Sequence, residues 1–475
     1  MPVRRYVAWA CIVAAAACTL DDAVVGSRNA TAGQGDATTG HDGPTNPCAE
    51  SLPAFPGAVG HGTDTPGGRG GRVLEVTQLG DDGPGSLREA LNTTGARIIV
   101  FRVGGTITLR EGIYLNEPYV TIAGQTAPGG GIALRMDPAS STEGPLWIAT
   151  HDVVVRYVRF RPGPSDELGC CRNGIDAVGG ASDVVIDHCS ISWAVDELIT
   201  SWYNASRVTV QWSLLTEPLY MSSHESGPNG SGISFGHEVT AHTFHHNLMA
   251  HAVKRAPSMS SITDAHFEVS HNVIYNWAET GATFTGRGRV DLVSNTFVPG
   301  PNTPAEPFEV GVYDEVSMYA MGNIGPHRSA NDDEWALVGT GASQAEVAPD
   351  TFRSSEPLGT LHVPEQTADE AYAAVLANAG ANLPERDSVD QRIIAEVQTL
   401  DGIVVDDPSQ VGGWPILAEG EAPVDTDHDG MPDTWEQTFD LDASDPSDGP
   451  KDADGDGYTN VEEHLNGTDP RVPCA

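Results

Sequence analysis

A repeated strand pattern constrains the fold of this chain more than any other feature of its sequence. Seven short segments of alternating apolar residues, from VVVRYVRF to MYAMGNI, align on one column. The column contains Val158, Cys189, Ser213, Asn247, Asn272, Asn295 and Asn323. Successive members lie 31, 24, 34, 25, 23 and 28 residues apart. A period in the twenties with strand-like alternation is typical of a solenoid, whose coils bury their apolar faces on one another.

A parallel β-helix fits this pattern better than a β-sandwich. The turns of a sandwich come roughly every 8 to 12 residues, which is closer than these repeats allow. The 53 glycines and 33 prolines also favour a turn-rich β protein. The asparagines of the column are predicted to be structural, because stacked amides can hydrogen-bond from coil to coil.

The sequence divides into five segments. Residues 1–18 are predicted to be a signal peptide and residues 19–52 a disordered linker. Residues 53–333 form the predicted β-helix, which begins with a short helical cap in DDGPGSLREALN whose first turn Ser86 caps. Residues 334–420 are expected to pack on the β-helix or cap it, and residues 421–475 are a small acidic segment.

Export is predicted from the N-terminus. Arg4 and Arg5 precede an apolar run over residues 7–17 and then Cys18, which is the layout of a secretory signal. Cys18 is alternatively a lipid acceptor, so two locations stay open: secreted and extracellular, or anchored on the outer surface as a lipoprotein.

The mature chain keeps five cysteines. They are Cys48, Cys170, Cys171, Cys189 and Cys474. Some are expected to pair in an oxidising compartment, and a bridge from Cys48 to Cys474 is one hypothesis. Metal ligation by Cys170 and Cys171 is the alternative.

The formal charge of −41 excludes nucleic acid as a partner, because phosphate backbones would be repelled. An acidic polysaccharide would be repelled as well unless divalent cations bridge it to the protein. Calcium is therefore the expected cofactor of such a chain. The chain is expected to be a monomer.

Several long motifs resemble the pectate lyase family. They are residues 54–91, ITLREGIYLNEPYVTIAGQTAPGGGIAL, VVIDHCSISWAVDE, HHNLMAHAVKRAP and HNVIYNW. The resemblance runs from about residue 53 to the C-terminus. It implies a right-handed parallel β-helix that degrades α-1,4-polygalacturonate by calcium-assisted β-elimination, releasing unsaturated oligogalacturonides.

The resemblance also implies a site. Asp176 and Asp196 match calcium-ligating acids, and a third ligand position falls on Thr200, for which Glu197 can substitute. Arg255, ten residues after His245, matches the arginine regarded as the proton acceptor.

Elimination requires a base for the weakly acidic C5 proton and a cation on the neighbouring carboxylate. Because a guanidinium is rarely neutral, Arg255 acts as a base or as a charge stabiliser, and the adjacent Lys254 is a second candidate base. Alternation along a strand would direct Lys254 and Arg255 to opposite faces.

Substrate binding is assigned to Arg255, His224 and Ser226. Ser226 and Ser260 stand where the family often has basic residues. Fewer fixed cations imply a partly methyl-esterified or different uronic substrate, a larger role for calcium, or a relative that has lost activity.

A zinc site in the HTFHHN run, with His188 and His271, is the less favoured interpretation of these histidines. Alternation would split His245 and His246 between two faces, and His188 and His271 share a column in which stacking is expected.

Two calcium loops are predicted in the acidic segment. DTDHDGMPDTWE and DADGDGYTNVEE both fit the EF-hand loop, with glycine at position 6. Their ligands would be Asp425, Asp427, Asp429, Asp433 and Glu436, then Asp452, Asp454, Asp456, Asn460 and Glu463. Pro423 and Pro450 and the lack of an incoming helix favour dockerin-like or thrombospondin-type-3-like modules with structural calcium.

Two other functions stay open from the sequence. One is a β-helical hydrolase of the polygalacturonase kind, which needs a general-acid carboxyl beside a carboxylate. The other is a polysaccharide-binding or adhesive solenoid on the cell surface, which the missing cationic positions suggest.

Overall fold

Three parallel sheets of 11, 9 and 8 strands build the molecule. Its computed structural model describes residues 52–328, 333–340 and 350–473. Consecutive strands pass in turn through the first, third and second sheets, and each strand pairs in parallel with the same sheet's strand on the neighbouring coil. The predicted parallel β-helix is confirmed.

The strands have the following bounds. The first sheet contains β1 Arg72–Val76, β2 Arg97–Phe101, β5 Val120–Ala123, β8 His151–Arg156, β11 Ser182–Asp187, β14 Ser206–Gln211, β17 Ala241–His245, β20 His266–Ser270, β23 Arg289–Val293, β26 Ser317–Met321 and β28 Arg353–Ser354. The second contains β4 Ile113–Leu115, β7 Leu146–Ile148, β10 Ile175–Ala177, β13 Glu197–Ser201, β16 Ser231–His237, β19 Ser258–Ser261, β22 Ala282–Gly286, β25 Val310–Val312 and β27 Val338–Gly339. The third contains β3 Gly105–Leu109, β6 Ile132–Met136, β9 Arg159–Phe160, β12 Ser190–Ser192, β15 Leu214–Thr216, β18 Leu248–Ala250, β21 Val273–Tyr275 and β24 Thr296–Val298.

Alternation along each strand turns one apolar side chain in two towards the solenoid core. On the first sheet, Val155, Ile186, Val210 and Phe244 pair in register on consecutive coils and are fully buried. Burying an aliphatic side chain of this kind contributes about 1.5–3 kcal/mol. The repeated apolar positions of the sequence are therefore what stacks the coils.

The predicted asparagine column forms a continuous ladder. The backbone N–H groups of Asn247, Asn272 and Asn295 each donate to the Oδ1 of the next asparagine at 3.0 Å. Their side-chain amides donate to the same Oδ1 atoms and to carbonyls of the preceding coil. Asn323 accepts the last of these bonds. The structural role expected for these asparagines is confirmed.

The described residues contain five α-helices beside the strands. They are α1 Leu87–Leu91, α2 Ala368–Asn378, α3 Ser388–Thr399, α4 Asp433–Phe439 and α5 Asn460–Asn466. The Ser86 hydroxyl accepts from the N–H of Glu89 at 3.2 Å, as predicted, and α1 buries Leu87 and Leu91 in the core.

Helices α2 and α3 lie along the third sheet. Val375, Ile393 and Val397 are buried against Leu214 and Val273 of its outer face. The segment after the repeats thus packs on the side of the solenoid, because its apolar helix faces match an apolar sheet surface.

The acidic C-terminal segment covers the outer face of the first coils. Met431, Val461 and Leu465 pack against Ile98 and Val100 of β2. Around this contact, Arg69 pairs with Glu462 at 2.9 Å and Arg102 lies 3.7 Å from Asp425. The segment is therefore joined to the β-helix by both apolar and ionic contacts.

Cys170 and Cys171 are joined to each other in a disulfide, so metal ligation by this pair is wrong. Cys189 is buried with a free thiol. The predicted signal peptide with Cys18, all but the last residue of the linker, and Cys48 and Cys474 lie outside the described residues. Within the described residues, no helix is long and apolar enough to cross a membrane.

Candidate functional site

Two buried oxygen atoms lie side by side on neighbouring coils of the second sheet. Asp176 on β10 is in register with Thr200 on β13. Asp176 is 1% exposed, and its Oδ1 accepts from the Asn173 side-chain amide at 2.6 Å. Asp176 Oδ2 and Thr200 Oγ1 are buried and have no hydrogen-bond partner among the described residues. They are unsatisfied acceptors of the kind that a cation completes.

Asp196 and Glu197 join them at the start of β13. Asp196 Oδ1 accepts from the Asn229 amide at 2.6 Å and lies 3.5 Å from His224 Nε2. The Asn173 Oδ1 accepts from the backbone N–H of Glu197 at 2.9 Å. Sequence reasoning missed Asn173 and Asn229, which hold the two aspartates in place. Each directly precedes a glycine, an Asn-Gly pair that usually signals only a turn.

Burial and mutual repulsion disfavour the charged forms of the Asp176 and Glu197 carboxylates. Burial, and then the charge of Asp196, raises the pKa of Asp176 well above its usual range. Burial and Asp196 also raise the pKa of Glu197, against the opposing effect of Arg255. Hard oxygen donors crowded in this way fit calcium, which would replace the protons that the raised pKa values favour.

The site is open rather than closed. The ligand atoms of Asp176, Asp196 and Glu197 do not all lie within 4.8 Å of one another. Other groups of three acidic or histidine side chains in the described residues do meet this distance. A calcium ion held here would need further oxygens, from water or from substrate, to reach its usual six to eight ligands.

Arg255 reaches this cluster from the connection between β18 and β19. Its guanidinium pairs with Glu197, and its side chain is 36% exposed. Its backbone is left-handed, with φ of 60°, and its carbonyl accepts from the Ile233 N–H at 2.7 Å. A Cβ on Gly232 would lie 2.4 Å from that carbonyl, so the close approach requires glycine.

The expected strand alternation at Lys254 and Arg255 is wrong. Lys254 forms a single bridge with Ser231, and the next residue turns into the left-handed region. The backbone conformation of Arg255, and not a strand, directs its side chain to Glu197.

His224 is positioned by a loop contact. Gly169 and His224 form an isolated parallel β-bridge, in which the Gly169 N–H donates to the Ser223 carbonyl at 3.0 Å. Gly169 directly precedes the disulfide of Cys170 and Cys171. The predicted substrate residue Ser226 is exposed, and its N–H donates to His224 Nδ1 at 3.1 Å.

The expected split of His245 and His246 between two faces is also wrong. Strand β17 ends at His245, and His246 has φ of 53°, so their Nδ1 atoms lie 2.8 Å apart. The ring of His246 stacks on Trp212 and on His271, with centroids 4.2 and 5.0 Å apart. Stacking thus accounts for His271 as expected.

The first acidic loop gathers a shell of oxygens. Asp425, Asp427 and Asp429 lie within ligand reach of one another, and Asp429 shares a second set with Glu436 and Asp448. Glu436 is fully buried, and neither of its oxygens has a hydrogen-bond partner within the described part of the chain. Sequence reasoning missed Asp448, because it lies twelve residues beyond the end of the loop motif.

Asp433, predicted at position 9, accepts instead from the N–H and hydroxyl of Thr426, both at 2.8 Å.

The second loop repeats this arrangement. Asp452, Asp454 and Asp456 form a set within ligand reach. Asn460 Oδ1 and Glu463 Oε2 are buried without partners among the described residues. Burial, and then the neighbouring aspartates, raises the pKa of Glu463 to about 8. Oxygen clusters of this kind fit calcium in both loops.

Curated relatives of this chain are polysaccharide lyases. "Probable pectate lyase C" of Aspergillus flavus is 32% identical over 433 residues, covering 88% of this chain and 94% of that protein. The protein of the same name from Emericella nidulans is 34% identical over 396 residues, covering 81% and 86%. The chain belongs to the pectate lyase family. No protein-family model matches it.

Among solved structures, the chain is similar to the major allergen of cedar pollen, with 16% identity and a TM-score of 0.49 over 68% of this chain and 92% of that chain. It is also similar to a pectate lyase variant of Bacillus subtilis, with 14% identity and a TM-score of 0.42 over 71% and 99%.

Proposed function

We propose that this family member cleaves α-1,4-linked polygalacturonate by calcium-assisted β-elimination. The observation that carries the proposal is the convergence of Asp176, Asp196, Glu197 and Arg255, with two unsatisfied buried oxygens, on one edge of the second sheet. Asp176 and Arg255 lie three coils apart along the solenoid, so the stacking of the coils is what brings the cluster together.

The residues divide the chemistry between them. Asp176 and Asp196 would hold the calcium ion, with Thr200 beside them; when bound, the ion stabilises the negative charge that develops on the substrate carboxylate. Arg255 would face the C5 proton of the same sugar. His224, next to Asp196, would contact the sugar from the opposite loop.

Glu197 controls the state of Arg255. While the two are paired, the carboxylate of Glu197 occupies the guanidinium of Arg255. Glu197 would also be able to hold the calcium ion, and the guanidinium of Arg255 would then be free to contact the substrate. Arg255 then acts on the proton or on the developing charge, with Lys254 as the neighbouring amine.

The test is an incubation with polygalacturonate and calcium. A lyase releases unsaturated uronides that absorb in the ultraviolet, and a chelator should abolish the signal. New reducing ends without that absorbance would indicate a hydrolase instead, and the absence of both would indicate a binding protein. Parallel assays on methyl-esterified pectin test whether the serines at 226 and 260 shift the preference away from the free acid.

The proposal includes export and structural calcium. The apolar N-terminus with Cys18 supports secretion or lipid anchoring, and the two acidic loops support calcium sites apart from the reaction. Mass spectrometry of the mature N-terminus distinguishes cleavage alone from lipidation of Cys18.

A further inference from the structure

A second group of ligand-type side chains lies on the outer face of the first sheet. Ligand atoms of His61, Glu268 and His362 lie within 4.8 Å of one another. Glu268 faces outwards on β20, since its neighbours Phe267 and Val269 are in the solenoid core. The group belongs neither to the second sheet nor to the acidic loops.

The three residues come from distant parts of the chain. His61 precedes β1, Glu268 lies in the eighth strand of the sheet, and His362 follows the last strand β28. The rings of His61 and His362 are 4.3 Å apart between centroids. The cluster is therefore where two segments outside the repeats meet on the solenoid.

A third histidine borders the cluster with a fixed tautomer. His266 Nε2 lies 2.7 Å from Asp291 Oδ2, so this nitrogen carries the hydrogen that the carboxylate accepts. The other ring nitrogen of His266, Nδ1, lies 3.4 Å from His61 Nε2. A carboxylate behind an imidazole is the usual support of a metal-binding histidine.

His61 is held in a matching way. Its Nδ1 lies 2.9 Å from the hydroxyl oxygen of Thr243, which also accepts the backbone N–H of His61 at 3.1 Å. When Nδ1 donates to Thr243, the Nε2 of His61 offers its lone pair on the side of His266.

The charges suit a transition metal. Burial, and then His362 and His266, lowers the pKa of His61 to about 4, so its ring is neutral near pH 7. Although burial opposes it, hydrogen bonds from His362 and from the N–H of Val363 lower the pKa of Glu268, which is therefore anionic. Neutral imidazoles with one carboxylate are ligands that zinc prefers over calcium.

We infer that His61, His362 and Glu268 bind one zinc-type divalent cation, and that the ring of His266 moves towards it as the fourth ligand of a structural site. Glu268 would exchange its 3.0 Å hydrogen bond from His362 Nδ1 for the metal, and keep those from the backbone of His362 and Val363. The site would fasten the N-terminal segment and the segment after β28 to the outer face of the first sheet. Four protein ligands are typical of a structural, closed site.

Cobalt is the probe that separates this site from the oxygen sites. The full chain is freed of metals with a chelator and then saturated with calcium, which occupies the acidic loops. One equivalent of Co²⁺ should give the strong visible bands of a four-coordinate site with nitrogen ligands, and Zn²⁺ should displace them. Wild-type protein that shows no such bands would overturn the inference.

Two histidine variants test the location of the site, and a third histidine variant is the matched control. His61→Ala and His362→Ala should each lose the cobalt bands and bind Zn²⁺ at least about tenfold more weakly. His151→Ala, an exposed histidine of the same sheet, should keep both. Circular dichroism confirms that each variant is folded. If both folded variants keep the bands, these histidines are not ligands.

Discussion

Arg255 and Glu197 form an ion pair between two coils, although 58 residues separate them in the chain. Glu197 is nearly buried, and Arg255 keeps one side open to solvent. This pair sets the charge of the site in the absence of substrate, because it partly neutralises a group of three carboxylates.

Arg255→Ala should lower the rate of uronide release by about 100- to 10,000-fold, the range for losing a proton-transfer group. Arg255→Lys should recover part of the lost rate only if the positive charge of Arg255, and not the shape of its guanidinium, makes the main contribution to catalysis. Arg287→Ala is the matched control, since Arg287 forms an exposed pair with Glu315 at 3.0 Å and should leave the rate unchanged. Full activity in folded Arg255→Ala would refute the assignment.

Thr200→Asp should reduce the calcium concentration needed for half-maximal activity several-fold. The new carboxylate would lie beside Asp176 and add a charged ligand to an open site. Thr283→Asp is the control, because it lies three coils along the same row of the second sheet. A calcium requirement that rises or stays the same in Thr200→Asp would place the cation elsewhere.

The repeats made the fold predictable, because an apolar period of two and a column of asparagines describe each coil directly. Asp176 and Asp196 were located by the resemblance to the pectate lyases and not by the repeats. Asn173, Asn229 and Asp448 could not be found from the repeats, since loops of variable length bring them into place.

Backbone conformation explains the remaining errors. Arg255 and His246 both adopt left-handed conformations that end the alternation of a strand. Residues other than glycine rarely adopt this conformation, so a strand pattern gives no sign of it. The split of His245 and His246 between two faces failed for that reason, and the strand alternation expected at Lys254 and Arg255 ends at Lys254.

Asn272→Ala should destabilise the β-helix, because it leaves the N–H of Asn247 and the carbonyl of Phe244 buried and unpaired. Each such group costs about 1–3 kcal/mol. The free energy of unfolding, measured in urea, should therefore fall well below that of Asn116→Ala, whose amide is exposed. Equal values for the two variants would contradict the structural role of the ladder.

Glu436→Gln should have opposite effects with and without calcium. In the metal-free protein, burial and the nearby aspartates raise the pKa of Glu436 to about 8. A raised pKa means that stability from the protonated group is full below about pH 4.5 and is lost as the pH rises towards 8. At pH 8 the variant should therefore melt higher than wild type in chelator, and lower than wild type in calcium.

Thermal unfolding at pH 5.5 and pH 8 measures both effects. The exposed Glu421→Gln serves as the control and should follow wild type in all conditions. A Glu436→Gln protein that is less stable than wild type in chelator at pH 8 would show that this carboxylate is not strained by its neighbours.

The ion pair between Arg69 and Glu462 joins residues 393 positions apart. During synthesis on the ribosome, the first coils therefore emerge long before the helices that shield Ile98 and Val100. Coils can stack one after another as they are translated, but the apolar surface of β2 stays open to chaperones and to other nascent chains until Met431, Val461 and Leu465 have been translated. A segment that is translated late thus completes coils that were translated much earlier.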